Sequence, residues 1–447
     1  MSLTIELSLY CDAENRLKPT MRIHLKTLGC RLNEAELETW SRDFQAQGHQ
    51  LTPELGDADL VVLNTCAVTA EAVRKSRKFM HKAHHKNPRA KLVVSGCYAS
   101  LDPSETAQSL GVDLVVNNHE KDRLVEIASR ELNLLAMPEL ATVPGENSLL
   151  SQGRQRAFIK VQDGCRYQCS FCIVTVARGE ERSRPIAEIV EQINVLHDQG
   201  LHEVVLTGVH IGGYGSDCDS DLFQLIEAVL NQTDIPRLRL GAVEPWDLPE
   251  HFWSLFANPR FMPHLHLPLQ SGADSVLKRM ARRVKTEQFS QLVEQARAQV
   301  PDINITTDLI VGFPGETDGE WCETLAYVEQ IGFGHLHIFA YSPRPGTRAA
   351  SLPDPVHRDV IRERSQQLHA LGEQCKKATL ENYIGREFPV LIESRVENSD
   401  YPWTGYTPNF LRVELKGAQS PSLENSIQQV KLEAIAEKGE SLIARFL

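Results

Sequence analysis

No run of eighteen apolar residues occurs anywhere in the chain, which excludes a membrane-spanning helix. The opening segment MSLTIELSLYCDAENRLKPT lacks a basic stretch ahead of an apolar one, so it does not read as a secretory signal. Net positive charge is missing too. Acidic residues number 59 against 47 basic ones, a balance of −12, which argues against a general nucleic-acid coat protein. The sixteen histidines supply no H-x3-H pair that reads as a metal site. With no export signal the expected place is the cytoplasm, where thiols stay reduced. The ten cysteines are then ligands or buried thiols rather than a disulfide framework.

What is present is an ordinary globular composition, 42% hydrophobic and 24% charged over 447 residues, enough for two or three domains. Positive charge is local. Val73–Lys91 carries Arg74, Lys75, Arg77, Lys78, Lys82, Lys86, Arg89 and Lys91, and LKRMARRVK carries Lys278, Arg279, Arg282, Arg283 and Lys285. Each stretch is either a solvated helix face or a phosphate contact.

Residues 1–20 read as a tail, and Met21, which opens the strand MRIHLKTLG, is a candidate start. From there strands alternate with helices, the pattern of a parallel α/β sheet. Asn33 and Glu36 read as the N-cap and third residue of a helix that runs to about Gly48. The basic helix extends to Pro88, and VDLVVNN supplies a fourth strand. Three strands end in a cysteine, TLGC, NTC and SGC, which places Cys30, Cys66 and Cys97 on one edge of the sheet. The alternative is three small core thiols.

Residues 130–155, polar and with Pro138, Pro144 and Gly145, read as a linker. Six candidate strands follow: AFIKV, EVVLTG, RLRLGAV, HLHLPL, INITTDLIVGF and HLHIFAY. With helices between them they make a partial barrel. Such barrels keep their chemistry at the carboxyl-end loops, and CRYQCSFC follows the first strand. Its C-x3-C-x2-C spacing, Cys165, Cys169 and Cys172, offers only three ligands. Structural zinc takes four. A [4Fe–4S] cluster held by three thiolates leaves one iron open for a cosubstrate, and Phe171 is placed to shield it from water. From about Lys376 the chain alternates as strands, with PWTGYTPNF as a turn-rich aromatic loop. Trp403, Tyr406 and Phe410 either stack on bases or pack a small barrel. His264 and His266 share one strand face, and hydrogen bonding there is the favoured role. Cys322 and Cys375 read as packing thiols in helices; Cys11 and Cys218 match no ligand pattern.

The cysteine triad after a first barrel strand resembles the radical S-adenosylmethionine superfamily. Together TLGCRLN, NTCAVT, SGCYA, QDGC…ARG, LHLPLQSG and VGFPGET resemble the methylthiotransferases. The resemblance implies an α/β protein with an N-terminal parallel α/β domain over 21–135. It further implies a radical partial (β/α)6 barrel over 150–375 and a small RNA-binding β-barrel, TRAM, over 376–447. It assigns Cys165, Cys169 and Cys172 to the radical [4Fe–4S] cluster, and Cys30, Cys66 and Cys97 to an auxiliary [4Fe–4S] cluster that carries the sulfur. S-adenosylmethionine is the implied cofactor. LTGVHIGG and DLIVGFPGE match the family's cofactor-contacting segments, and the cofactor-binding candidates that the resemblance implies are Phe171, Thr207, Gly208, Glu244, Val311 and Gly312. The implied reaction replaces an inert C–H bond by a methylthio group.

TLGCRLN and NTCAVT followed by AVRKSR resemble the subfamily that acts on threonylcarbamoyladenosine in tRNA. The isopentenyladenosine and ribosomal-protein subfamilies are the alternatives. The implied partners are the tRNA anticodon loop, a one-electron reductant such as a flavodoxin-type protein, and a sulfur donor. Arg74, Lys75, Arg77, Lys78, Arg282 and Arg283 are the RNA-binding candidates. No membrane partner is implied, and a monomer is the default. A non-catalytic RNA-binding protein and a zinc-stabilised scaffold are the readings from other classes; the first leaves six placed cysteines without a role.

Overall fold

The computed structural model describes residues 20–132, 134, 155–249, 251–395, 400–416 and 423–447. Most of the linker and Cys11 lie outside the described residues. Two compact units are present. The first is drawn from the chain up to and including Pro144, and the second runs from Gly145 to Leu447 and also counts Gly29–Ala35 and Ala67–Val73.

The first unit is a parallel sheet of β1 (Arg22–Thr27), β2 (Gln50–Leu51), β3 (Leu60–Thr65), β4 (Lys91–Gly96) and β5 (Leu114–Val116), in the order β2-β1-β3-β4-β5. Every residue of β3 is buried, as expected for a central parallel strand covered on both faces. Ile23, Trp40, Phe44, Leu60, Val62 and Val93 form its core. The basic helix spans Ala70–Lys86.

The first helix spans Arg31–Ala46, so Asn33 lies inside it and is not its cap. Tertiary partners override the local signal. The Asn33 side chain accepts from Arg178 at 2.8 Å. Glu36 is buried and takes an ion pair from Lys121 at 2.7 Å and a hydrogen bond from Asn64 at 2.9 Å.

In the second unit all six expected barrel strands form: β6 (Arg156–Lys160), then, after the short β7 (Gln162–Asp163) and β8 (Arg182–Ser183), β9 (Glu203–Thr207), β10 (Arg237–Leu240), β11 (His264–His266), β12 (Asn304–Val311) and β13 (His335–Ala340). They pair in parallel as β10-β9-β6 and β11-β12-β13. Isolated bridges Leu238↔Phe261 and Ala242↔His266 join the two sets. Alternation decides the faces. Ala157, Ile159, Val204, Leu206, Leu238, Leu240, Leu265 and Leu336 pack into the core shared with the surrounding helices. The intervening residues face inward.

The helix Arg358–Glu381 leads into a closed barrel of β14 (Glu387–Arg395), β15 (Trp403–Tyr406), β16 (Arg412–Lys416), β17 (Ile427–Ile435) and β18 (Leu442–Phe446). Lys376 is therefore still helical. The segment read as an aromatic loop supplies strand β15, because Trp403 is a buried core residue that pairs opposite Leu415. Tyr406 and Phe410 are partly buried, their faces engaged inside the protein. Their rings stack on each other at 4.7 Å, and the guanidiniums of Arg156 and Arg239 lie 4.9 and 4.6 Å from the Phe410 ring.

Those arginines belong to a charge hub at the amino ends of the barrel strands. Glu203, fully buried, is flanked by Arg156, Arg237 and Arg239 at 3.9, 3.7 and 3.1 Å. Arg237 also donates to the carbonyls of Tyr406 at 3.0 Å and Pro389 at 2.6 Å, and Arg239 to that of Pro408 at 3.0 Å. Arg156 pairs with Glu393. Burial opposes the Glu203 charge, but Arg239, Arg156 and Arg237 win and hold its pKa at about 2.

Candidate metal and cofactor site

At the opposite, carboxyl ends of the strands, β6 and β7 deliver the chain into Cys165–Cys172. Gly164 makes the turn at φ 74, and a Cβ there would collide with the Glu180 carbonyl. Cys165, Cys169 and Cys172 all lie in this loop, each partly buried. The loop is pinned on every side. Cys165 N–H donates to Gly179 O at 3.1 Å, Cys172 N–H to Cys169 O at 3.0 Å, and Ser170 N–H to Met280 O at 2.9 Å. Phe171 packs beside the apolar group of Ala273, Val276, Met280 and Phe313.

Two donors point at the sulfurs. The Tyr167 N–H lies 3.4 Å from Cys165 Sγ, and Arg282 Nη1 lies 3.8 Å from Cys169 Sγ. Burial first, then the charges of Glu244, Cys172 and Cys169, pushes the Cys165 thiol up to about 12. A thiolate there needs a cationic partner, which an iron–sulfur cluster supplies. The donor set fits such a cluster: three thiols, N–H and guanidinium donors aimed at sulfur, and an aromatic cover.

Behind Cys165 sits a set of residues that the motif reading missed. Gln162 ties two loops together. Its Nε2 donates to Asp163 O and Gly164 O, and its Oε1 accepts from the N–H groups of Val209 and His210 at 3.1 and 2.8 Å. His210 is buried between two carboxylates, with Nδ1 2.5 Å from Glu181 and Nε2 2.7 Å from Asp247. Burial works against its charge. The hydrogen bond to Asp247, the field of Glu244 and the bond to Glu181 outweigh it and hold the imidazolium above the usual histidine range. Asp247 also accepts from Tyr167 Oη at 2.7 Å, and Glu181 from the Arg166 N–H at 3.1 Å. Cys165, Glu181 and His210 place ligand atoms within 4.8 Å of one another. Both His210 ring nitrogens are engaged by carboxylates, so the trio reads as a brace for the cysteine loop.

Glu244 follows β10. Its Oε2 is buried without a hydrogen bond and lies 3.8 Å from His210 Nε2, and burial raises its pKa. An orphaned carboxylate oxygen at the mouth of a barrel is a ready partner for a hydroxyl or ammonium group of a bound molecule.

Residues 159–328 match the family model described as the radical SAM superfamily, and residues 22–117 match the model described as uncharacterized protein family UPF0004. A relative from Thermotoga maritima, named threonylcarbamoyladenosine tRNA methylthiotransferase MtaB, is 34% identical over 93% of this chain and 95% of its own length. A Bacillus subtilis protein of the same name is 34% identical over 88% of this chain and 90% of its own. The chain belongs to the radical S-adenosylmethionine methylthiotransferase family.

A further relative from Bacillus velezensis, named tRNA-2-methylthio-N(6)-dimethylallyladenosine synthase, is 32% identical over 92% of this methylthiotransferase and 83% of its own length. Among solved structures, the radical S-adenosylmethionine methyltransferase TsrM from Kitasatospora setae has a TM-score of 0.57 at 16% identity, covering 74% of this chain and 77% of its own. That likeness shows a shared fold.

The methylthiotransferase's sequence-derived site residues divide. Thr207, at the end of β9, is buried, and Gly208 sits against the Gln162 carbonyl side. Val311 turns its side chain into the core, and its carbonyl accepts from Tyr341 N–H at 2.8 Å. The Gly312 N–H donates to Glu316 at 2.9 Å, and its φ of 78 makes a turn against Ile361. The two residues form the wall and turn after β12, with those main-chain groups already engaged.

Arg282 is partly buried. It covers the Trp246 ring at 4.3 Å and donates to Pro268 O, which places it at the cysteine loop. Arg283 is exposed, 4.5 Å from the Tyr167 ring. On the basic helix Arg74, Lys75, Arg77 and Lys78 are exposed, and Arg77 pairs with Glu105. Cys66 and Cys97 are buried directly after β3 and β4, and Cys30 is exposed three residues after β1. Gly96 takes φ 98, and a Cβ there would collide with the Thr65 main chain. Cys322 is exposed, so it is not a packing thiol; Cys375 is partly buried. No helix among the described residues is long and apolar enough to cross a membrane.

Proposed function

We propose that this enzyme methylthiolates carbon 2 of N6-threonylcarbamoyladenosine in the anticodon loop of tRNA. The observation that carries the chemistry is the three-cysteine loop at the strand ends with donors aimed at its sulfurs. The substrate rests on the relatives named for threonylcarbamoyladenosine, together with TLGCRLN and NTCAVT. Dimethylallyladenosine is the second reading, favoured by the relatives that carry that name.

Cys165, Cys169 and Cys172 would hold the radical [4Fe–4S] cluster. Cys30, Cys66 and Cys97 would hold the auxiliary one, since they follow β1, β3 and β4, three neighbouring strands of one parallel sheet. When bound, the clusters and S-adenosylmethionine supply the one-electron chemistry that opens an inert C–H bond and the sulfur that replaces the hydrogen. The protein's part is positioning. Gln162 and the Glu181–His210–Asp247 brace fix the cysteine loop. Phe171 excludes water. Glu244 offers its unpartnered oxygen to the cofactor, with Thr207 and Gly208 beside it. The exposed cations of the basic helix, Arg74, Lys75 and Lys78, with Arg283, meet the phosphate backbone. A flavodoxin-type reductant, a sulfur donor, a monomeric state and a cytoplasmic place complete the proposal.

The test is the nucleoside content of bulk tRNA from a strain lacking the gene. Loss of 2-methylthio-threonylcarbamoyladenosine, restored by the intact gene and not by a Cys169→Ala copy, supports the proposal. Loss of the methylthio-isopentenyl nucleoside instead would correct the substrate.

A further inference from the structure

The sequence contains HLH twice, at 264–266 and 335–337, and the fold sets the two copies on β11 and β13, either side of β12. Register aligns them: His266 lies opposite Thr306, Thr306 opposite His335, and Asp308 opposite His337. Leu265 and Leu336 face the helices, so the histidines line the inner face of the barrel.

These side chains form a connected polar array. His266 Nδ1 is 2.9 Å from Thr306 Oγ1, and its Nε2 is 3.1 Å from Asp308 Oδ1. The His266 and His337 rings are 5.2 Å apart, and those of His335 and His337 4.8 Å. Burial, then the neighbouring histidine, lowers the pKa of both His335 and His337, so both are neutral near pH 7. Both remain open to solvent. A cation stands nearby. Arg31 lies 5.0 Å from the inward ring of Phe158 and contributes to lowering His337. Its ion pair with Glu34 at 3.1 Å is exposed and easily exchanged.

The array reaches the cysteine loop. His266 is two residues before Pro268, roughly 7 Å along a strand. The Pro268 carbonyl accepts from Arg282, which touches Cys169.

We propose that this inner face is the pocket for the threonylcarbamoyl substituent of the substrate. His337 and Asp308 hydrogen-bond its carbamoyl and hydroxyl groups, His266 holds Asp308 in place, and Arg31 pairs with its carboxylate. The inference rests on the substrate reading above. A urea-like N–H and C=O, a hydroxyl and a carboxylate match this wall group by group. An isopentenyl substituent would desolvate His337, Asp308 and Arg31 without offering them a polar partner, which is the basis of strong discrimination.

The test uses reconstituted enzyme and three anticodon stem-loop RNAs: one with threonylcarbamoyladenosine, one with its carboxyl methyl ester, and one with isopentenyladenosine. Wild type should favour the acid over the ester by about ten-fold in kcat/KM, and Arg31→Gln should bring that ratio to within about two-fold. His337→Leu should raise KM for acid and ester alike by about ten-fold and narrow the gap to the isopentenyl RNA. Ratios between substrates are unaffected by a partial loss of folded or cluster-loaded protein, and iron content is measured for each variant. Wild type active on the first RNA, with the acid-to-ester ratio unmoved by Arg31→Gln and KM unmoved by His337→Leu, would overturn the pocket alone. Wild type active only on the isopentenyl RNA would overturn the substrate reading and the pocket with it.

Discussion

Replacing Glu203 with Gln keeps the shape of the charge hub and removes the anion its three arginines share, leaving Arg156 its pair with Glu393. Three guanidiniums, those of Arg156, Arg237 and Arg239, then face one another with their shared carboxylate gone. Breaking a buried pair of this kind by removing one partner costs about 3–5 kcal/mol. The pKa route gives a similar magnitude. Glu203 falls from 4.5 to about 2, and at about 1.4 kcal/mol per pKa unit that difference is worth ~3 kcal/mol.

The sign follows from the direction of the shift. A depressed carboxylate stabilises above its unfolded pKa, and that stability is lost as pH falls through the folded value. The window is therefore 4.5 down to about 2. Equilibrium urea unfolding of the iron-free wild type and Glu203→Gln should show a gap of ~3 kcal/mol at pH 7, shrinking to about half by pH 3. Because Arg237 and Arg239 also hold carbonyls of the C-terminal barrel, the variant should also lose protection from protease between Glu381 and Glu387. A gap under ~1 kcal/mol, or one independent of pH, would refute the hub's role.

Other outcomes follow from single contacts. Gly164→Ala forces a Cβ into the Glu180 carbonyl at φ 74; iron analysis should show loss of radical-cluster iron, and full iron loading would contradict the loop's strain. Substituting Cys165, Cys169 and Cys172 with Ala should abolish reductive cleavage of S-adenosylmethionine while iron bound by the remaining cysteines persists; cleavage in that variant would remove the triad from the site. Replacing Arg74, Lys75 and Lys78 with Ala should weaken tRNA binding and lower the salt slope by about one per lost phosphate contact. An unchanged slope would mark the basic helix as a solvated face.

Much of this was legible in the chain because it depends on local pattern. The apolar runs gave the strands, and a cysteine after a strand end is visible without a structure. What escaped depends on distant partners. Asn33 looks like a helix cap until Arg178 claims it. Arg282 looks like a surface cation until Trp246 and Pro268 draw it inward. Strand β15 hides in a stretch with a proline and a glycine, because burial of Trp403 decides its conformation. Glu181, His210 and Asp247 come from three separate loops; His210 lies within LTGVHIGG, but nothing in that pattern pairs it with the two carboxylates. The twin HLH segments were visible, but only the register of β11, β12 and β13 shows that they face one site.

The most direct measurement is the nucleoside content of threonylcarbamoylated tRNA after anaerobic incubation with the reconstituted enzyme, S-adenosylmethionine and a one-electron reductant. The account predicts 2-methylthio-threonylcarbamoyladenosine, formed by the wild type and absent with Cys169→Ala. Unchanged threonylcarbamoyladenosine, from enzyme that is fully iron-loaded and cleaves its cofactor, would contradict it.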